Sequence, residues 1–209
     1  MFYGQHGEVL YLKEKFFQNK TDGVCIEVGA YDGIGGSNTF HFEQLGWRCL
    51  CIEPVETSFI ECTKNRKESL QCCISDKDKD DAEMTVFHLG TNLSAISSLE
   101  PDKRLIDSHI NLITQTSKQT VKVRSLTSVL DEIKFPKNID FVSIDTENTE
   151  LDVLKGIDFT NYNMKVLMIE NNFNEPFCED YLKNVGYTKI HRIAVNDFYV
   201  KNNYNLFHG

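Results

Sequence analysis

Residues 23–54, GVCIEVGAYDGIGGSNTFHFEQLGWRCLCIEP, constrain this chain more than any other stretch. Val24–Val28 is an apolar run broken only by Glu27, the pattern of a strand buried on both faces. Gly29, Gly33, Gly35 and Gly36 then crowd a turn in which the backbone can approach a ligand closely. Ser37, Asn38 and Thr39 stand where they can cap a helix carrying Phe40, Phe42 and Leu45, although no capping box follows. Gly46 suits the C-terminal stop of that helix. Residues 50–52 read as a second strand, closed by Glu53.

Strand, glycine turn, helix, strand is half of an open parallel sheet, and such sheets bind ligands outside the carboxyl ends of their strands. The glycine turn offers N–H groups to an anion at the helix start. An acid ending the second strand can accept both hydroxyls of a ribose. The unit therefore suits a nucleoside-containing cofactor. A phosphate-binding version needs G-x-G-x-x-G, whereas this turn reads G-A-Y-D-G. Glu27 in the strand and Asp32 in the turn place two carboxylates beside the crevice, which suits a cationic ligand without phosphates. S-adenosylmethionine, with its sulfonium, ammonium and carboxylate, has that chemistry.

The chain has 209 residues, a length suited to one α/β domain with a full core. Its net charge of −9 disfavours tight binding to nucleic acid, which depends on Lys and Arg neutralising phosphates. No apolar run is long enough for a membrane span, and residues 1–17 lack the basic and apolar segments of a signal peptide. The seven cysteines include no C-x-x-C and several fall in expected buried strands. They read as reduced core residues, hence a cytoplasmic setting. Asn92-Leu93-Ser94 is a glycosylation sequon with no function in that setting.

Along the chain, residues 1–20 read as an N-terminal arm and helix with Val9, Leu10, Leu12, Phe16 and Phe17 as its apolar face. Phe59 and Ile60 fit a second crossover helix, and residues 70–74 a third strand ending at Ser75-Asp76, with Ile74 as an apolar face for an adenine. Residues 76–83 (DKDKDDAE) read as a solvated turn, and residues 84–88 as a short strand. Residues 91–119, which include Ser94, Ser97, Ser98 and His109, are expected to form a lid or substrate-binding insertion. Residues 121–123 suggest an edge strand. Leu126, Val129, Leu130 and Ile133 mark one helix face. Residues 139–144 and 165–169 are buried strands, separated by a short helix that Gly156 stops. Another helix ends at Asn184, and a terminal hairpin is expected around Asn196-Asp197.

Five strands thus end in polar groups at one edge: Asp32, Glu53, Asp76, Asp145 with Glu147, and Glu170 with Asn171. Clustered like charges are costly without counter-charges. A cationic cofactor, a divalent metal or both would supply them. Asp145, Glu170 and Asn171 are hard oxygen ligands of the kind Mg²⁺ or Mn²⁺ accepts, and a metal there would lower the pKa of a substrate hydroxyl. Without a metal, Asp145 or Glu147 is the candidate general base.

The motifs YGQHG, IEVGAYDG, SNT, LGW, CIEP, SIDTENTELDVLKGIDF, MIENN and NDFYV resemble the FkbM family of S-adenosylmethionine-dependent methyltransferases over nearly the whole chain. The resemblance implies a class I methyltransferase fold: an α/β Rossmann-like three-layer sandwich on a seven-stranded, mostly parallel sheet with an antiparallel C-terminal strand. It implies O-methylation, often of a sugar or natural-product hydroxyl. By position, Glu27, Gly29, Ala30, Asp32, Gly33 and Asn38 would surround the methionine part, with Tyr31, Ser37 and Thr39 in the same loop. Glu53 and Pro54 would meet the ribose, and Ile74, Ser75 and Asp76 the adenine. Asp145 would sit by the methyl group, with Glu147 or Glu170 taking the proton. Two positions depart from the family pattern: Asn148 replaces a Gly, and Val9 replaces an acid of the opening motif.

The expectation is an O-methyltransferase for a sugar hydroxyl on a glycan or glycoside, a deoxyhexose such as rhamnose being one instance. The chain is also compatible with being part of a larger multidomain glycan-modifying protein. A ribose or RNA O-methyltransferase, a catalytically silent cofactor-binding module and a nicotinamide oxidoreductase remain as alternatives.

Overall fold

A computed structural model of the chain describes residues 4–89 and 96–204, Ile96 by its backbone only. The sequon and Ser94 lie outside the described residues.

Strand β1 (Val24–Val28) pairs in parallel with β2 (Arg48–Ile52) on one side and β8 (Asn138–Ile144) on the other. With β3 (Ser69–Leu70), β9 (Asn163–Glu170), β10 (Tyr187–Ile193) and β11 (Asn196–Lys201) they form a seven-stranded sheet in the order β10-β11-β9-β8-β1-β2-β3. Only β11 runs against the direction of the other six strands. The fold is therefore the class I methyltransferase type of Rossmann-like α/β sandwich expected from the sequence.

Alternation along the central strands distributes the core over both faces. Ile26 and Val28 join Leu50, Ile52, Val142 and Ile144 on one face. There they meet α5 (Leu126–Glu132), α6 (Glu150–Lys155) and α7 (Phe177–Asn184) through Leu130, Leu154 and Leu182. Cys25 and Phe141 point to the opposite face, against Val9 and Leu12 of α1 (Glu8–Lys15), Phe42 of α2 (Phe40–Gln44) and Trp47. Leu10, expected on the apolar face of α1, is 41% exposed. Ser37 is the side chain that caps α2, its Oγ accepting from Phe40 N at 3.0 Å. Cys62 of α3 (Glu56–Asn65) packs under Ala30 and Cys51.

The middle of the chain departs from the sequence expectations. The expected third strand splits into β3 and β4 (Cys73–Ile74), and β4 belongs to a second sheet of order β4-β7-β5-β6. Its main part is a long antiparallel ribbon of β5 (Lys79–Leu89) and β7 (Ile113–Arg124), with β6 (Ile96–Ser98) beside it. The charged run 76–83 is thus half strand, and residues 121–123 are the end of a 12-residue strand. Only Ala82, Met84 and Val86 of β5 and Val121 and Val123 of β7 are buried in the cluster below this ribbon. A strand polar on one face and short of apolar residues on the other gives a weak alternation signal. Helix α4 (Lys103–His109) follows β6 and packs Leu105 against Phe87. The C-terminal hairpin turns at Ala194-Val195 rather than at Asn196-Asp197, with Ala194 at φ 49°. Among the described residues no helix is long and apolar enough to cross a membrane.

Candidate active site

A cavity of about 520 Å³ opens at the carboxyl ends of β1, β2, β8 and β9. The N-terminal arm adds Gln5 and His6 to its wall, the second sheet adds Ser97 and Ser98, and α4 adds His109.

The crevice follows from the close approach of β1 and β8. Gly29 and Ala30 donate to Ile52 O at 2.9 and 3.1 Å, and Asp145 N donates to Val28 O at 3.0 Å. Gly29 has φ +83°, and a Cβ placed on it would lie 1.8 Å from the Asp145 carbonyl oxygen. Only glycine fits there. Beyond β8 the turn holds Glu147 and Asn148 at φ 60° and 76°. Asn148, the departure from the family's Gly, thus adopts the left-handed conformation that Asn tolerates better than most residues. Glu150 fastens this turn: its Oε1 accepts from Thr146 N at 2.9 Å and from Asn148 N at 3.1 Å.

Of the expected cofactor residues, Glu27, Gly29, Ala30, Tyr31, Ser37, Asn38, Glu53, Pro54, Ile74 and Asp145 line the cavity. Asp32, Gly33, Thr39, Ser75 and Asp76 do not. Asp32 instead accepts from Ile34 N at 2.9 Å and Gly35 N at 2.7 Å, an Asx turn that shapes the glycine loop. Thr39 donates to Glu27 Oε2 at 2.7 Å. Gly33 packs against the Arg66 stem, Ser75 N is bonded to Arg124 O at 3.0 Å, and Asp76 is exposed beside Lys77.

Glu27 also departs from the expected role. Its carboxylate accepts from Ser37 Oγ and Asn38 N, both at 2.7 Å, and from Arg66 Nη1 at 3.1 Å. Arg66, with a fully buried side chain, also bonds Glu43 at 3.0 Å and the Gly33 carbonyl at 3.0 Å. The charge of Glu27 is therefore met within the protein, and the network shapes the cofactor loop from beneath. Sequence reading passed over Arg66 because TKNRKE has the composition of a solvated helix end. The usable signal was the demand of two acids in apolar surroundings, Glu27 and Glu43, for a buried cation.

Glu53 keeps the expected position. Its oxygens accept from Tyr31 N and Val55 N, each at 2.8 Å, and burial pushes its carboxyl up to about 7. The carboxyl group is thus fixed in orientation, with lone pairs left over. Glu53→Ala is expected to weaken S-adenosylhomocysteine binding by about 10–100-fold, the loss of a charge-assisted pair plus a loosened loop. Asp32→Asn, which preserves the turn, should leave affinity within about threefold. Calorimetric titration of both variants distinguishes ligand contact from loop shaping.

Asp145, Glu147 and Glu170 do meet at the other end of the cavity. Asp145 and Glu170 hydrogen-bond one another. Burial raises Asp145 to about 6, and burial with the Asp145 charge raises Glu170 to about 11, so the pair holds a proton near neutrality. Burial likewise pushes Glu147 well up. Glu170 Oε2 and the side-chain nitrogens of Asn148 and Asn172 are shut from solvent and have no hydrogen-bond partner.

These shifts fix a pH dependence. Glu53 and Asp145 have raised pKa values in the folded protein, so their stabilising contribution is fully present below their ordinary values of 4.5 and 3.8. It is lost as pH rises through about 7 and 6. A bound cation favours the ionised forms. S-adenosylmethionine should therefore bind with proton release and tighten between about pH 5.5 and 8, and S-adenosylhomocysteine, uncharged at sulfur, should tighten less. Calorimetry in buffers of different ionisation enthalpy reads the released protons directly.

The expected metal trio is not assembled. Asn171 donates to Glu175 O at 2.8 Å and Asp197 Oδ2 at 2.9 Å, and its Oδ1 accepts from Glu175 N at 2.8 Å. Its carboxamide closes the 171–175 loop and does not line the cavity. Among the described residues no group of three or more His, Cys, Asp or Glu side chains is placed to hold a metal ion. The residues do fit S-adenosylmethionine. The glycine crevice admits close backbone contact, and Asn38, 8% exposed, is among the residues lining the cavity beside it.

A family model described as Methyltransferase FkbM domain matches residues 27–189. No curated protein matches the chain significantly. Among solved structures, the METTL16 MTase domain superposes with a TM-score of 0.50 at 14% identity, covering 94% of this chain and 66% of that one. A structure described as human methyltransferase 10 domain containing protein gives a TM-score of 0.40 at 12% identity, covering 88% of this chain and 74% of that one. The first of these is a likeness of fold, to a domain of which this chain spans about two thirds. The family match runs from Glu27 beneath the glycine loop, through Glu53 and Asp145, to β10. This chain belongs to the FkbM family of S-adenosylmethionine-dependent methyltransferases.

Proposed function

We propose that the protein is an O-methyltransferase whose acceptor is a sugar hydroxyl. The observation that carries this reading is the acceptor end of the cavity. Asp145, Glu147, Thr149, Glu170 and Asn172 line it with carboxyl, hydroxyl and carboxamide groups. Such a wall offers both hydrogen-bond donors and acceptors, which a polyhydroxylated acceptor can match.

S-adenosylmethionine supplies a methyl group activated by the sulfonium. Glu53 would hold the ribose, and the backbone at Gly29 and Ala30 would frame the methionine part. Asp145 orients the acceptor hydroxyl. Of the three acids it is the one most readily ionised near neutral pH, and Glu170 holds the shared proton beside it. As the acceptor oxygen bonds to carbon and the carbon–sulfur bond breaks, the hydroxyl proton passes to Asp145. Most of the acceleration comes from positioning and from water exclusion.

Mass spectrometry of glycans and glycosides incubated with protein and isotopically labelled methyl donor tests this. Label on a sugar oxygen is the expected result. Label on nitrogen or on an RNA ribose would replace this reading with another methyltransferase. Cofactor binding with no labelled product in any acceptor would favour the silent binding module.

A further inference from the structure

His109, the last residue of α4, lines the cavity and is only partly buried. Its neighbours fix which ring nitrogen carries the proton. Nδ1 lies 3.1 Å from the Leu105 carbonyl oxygen, one helical turn back, and 2.9 Å from Ser108 Oγ. The carbonyl can only accept, and the Ser108 hydroxyl already gives its hydrogen to that carbonyl at 2.7 Å. Nδ1 therefore holds the proton and donates. In the neutral ring Nε2 is left with a lone pair, and among the described residues no side chain or backbone group donates to it. The helix that carries this ring is firmly seated. Asp102 caps it by accepting from Arg104 N at 2.7 Å. Arg104 Nη1 donates to Glu175 Oε1 at 2.9 Å, and its guanidinium lies 4.0 Å over the Phe173 ring. These contacts dock α4 on the 171–175 loop that follows β9, the strand ending in Glu170. His109 is thereby brought to the acceptor side of the cavity. Leu89, Leu99 and Leu105, from the same stretch of chain, line the cavity as well.

Resting on the hydroxyl-acceptor reading, we propose that His109 binds the acceptor, its Nε2 accepting a hydrogen bond from a hydroxyl other than the one that is methylated. The reacting hydroxyl is the one at Asp145, so a base carried by a separate element meets a second oxygen of the same molecule. A ring nitrogen with a lone pair asks for an O–H, and an ether or carbonyl oxygen in its place has no hydrogen to give. The leucines beside it suit the C–H face of a pyranose. His109 is thus a specificity residue. It acts on acceptor binding and leaves cofactor binding alone.

The test is calorimetric titration of the protein saturated with S-adenosylhomocysteine. The probes are methyl pyranosides with their monodeoxy forms, and short acyclic diols with their monohydroxy forms. Two variants separate the edges of the ring. His109→Asn keeps a donor for the Leu105 carbonyl but has no atom at the Nε2 position, whereas His109→Gln reaches that position with a carboxamide oxygen. His109→Asn should weaken the best-bound pyranoside about 3–10-fold, the worth of one hydrogen bond, with S-adenosylhomocysteine affinity unchanged. His109→Gln should recover most of that loss. One monodeoxy pyranoside should bind the natural protein weaker by the same factor and lose nothing further in His109→Asn, because the two changes remove one interaction. Pyranoside affinity unchanged in His109→Asn, no recovery in His109→Gln, or an equal loss on every monodeoxy probe would overturn this inference and leave the sugar reading standing. The same coupling confined to the acyclic diols would uphold it and overturn the sugar reading. No binding by any probe would overturn both.

Discussion

Arg66→Met is expected to destabilise the free protein by about 3–5 kcal/mol, the cost of removing one partner from a buried ion pair. The guanidinium lies between Glu27 Oε2 at 3.1 Å and Glu43 Oε2 at 3.0 Å, and it also bonds Thr39 Oγ1 at 2.8 Å. Without it, two buried carboxylates face each other with no counter-charge and must take up protons or unfold the site. For a chain of this size, about 2–4 °C of Tm is lost per kcal/mol, so a fall on the order of 10 °C is expected by scanning calorimetry. The loop from Ser37 to Thr39 hangs from the same Glu27 carboxylate. Cofactor affinity should therefore fall as well. Adding Glu27→Gln and Glu43→Gln to Arg66→Met should restore much of the stability, since an uncharged network carries no unpaired ion. A single variant with an unchanged melting profile would mean that the pair is not a buried counter-charge.

Asp145→Asn is expected to lower kcat by about 10²–10⁴-fold, the range for losing a positioned proton acceptor. S-adenosylhomocysteine affinity should stay within a few-fold, and Tm should hold or rise. The substitution leaves untouched the backbone bond from residue 145 to Val28 O. It also removes a charge that presses on Glu147 and Glu170. Sites built for chemistry often gain stability when the strained group is removed. In the natural protein, activity should fall at low pH through an apparent value near 6 as Asp145 becomes protonated, and the variant should lose that limb. A variant that keeps full kcat and the same pH profile would remove Asp145 from the chemistry. A variant that loses turnover only through lost folding would make it structural.

Several features were legible in the residues alone. The apolar run Val24–Val28, the glycines after it and Glu53 at the second strand end led to the sheet, the crevice and an acid on its wall. These are local signals: a buried parallel strand must be apolar, and a close backbone approach must be glycine. The β5–β7 ribbon was not legible, because one face of each strand is charged and the other buries only a few side chains. The acids at the strand ends were legible as a group but not as individuals. Glu53, Asp145, Glu147 and Glu170 face the cavity, whereas Asp32 shapes its own turn, Asp76 faces solvent and Asn171 ties a loop.

The sequence by itself determined the family, the first strand–turn–helix–strand unit and the end of the sheet where the cavity opens, because periodicity and turn residues act within a few positions of one another. Tertiary structure alone decided which carboxylates are already paired and which await a ligand. That depends on contacts such as Arg66 with Glu27, 39 residues apart, and on a cavity wall to which no lysine or arginine is brought. Pairing across such distances depends on how the chain packs, and no short window of residues encodes it.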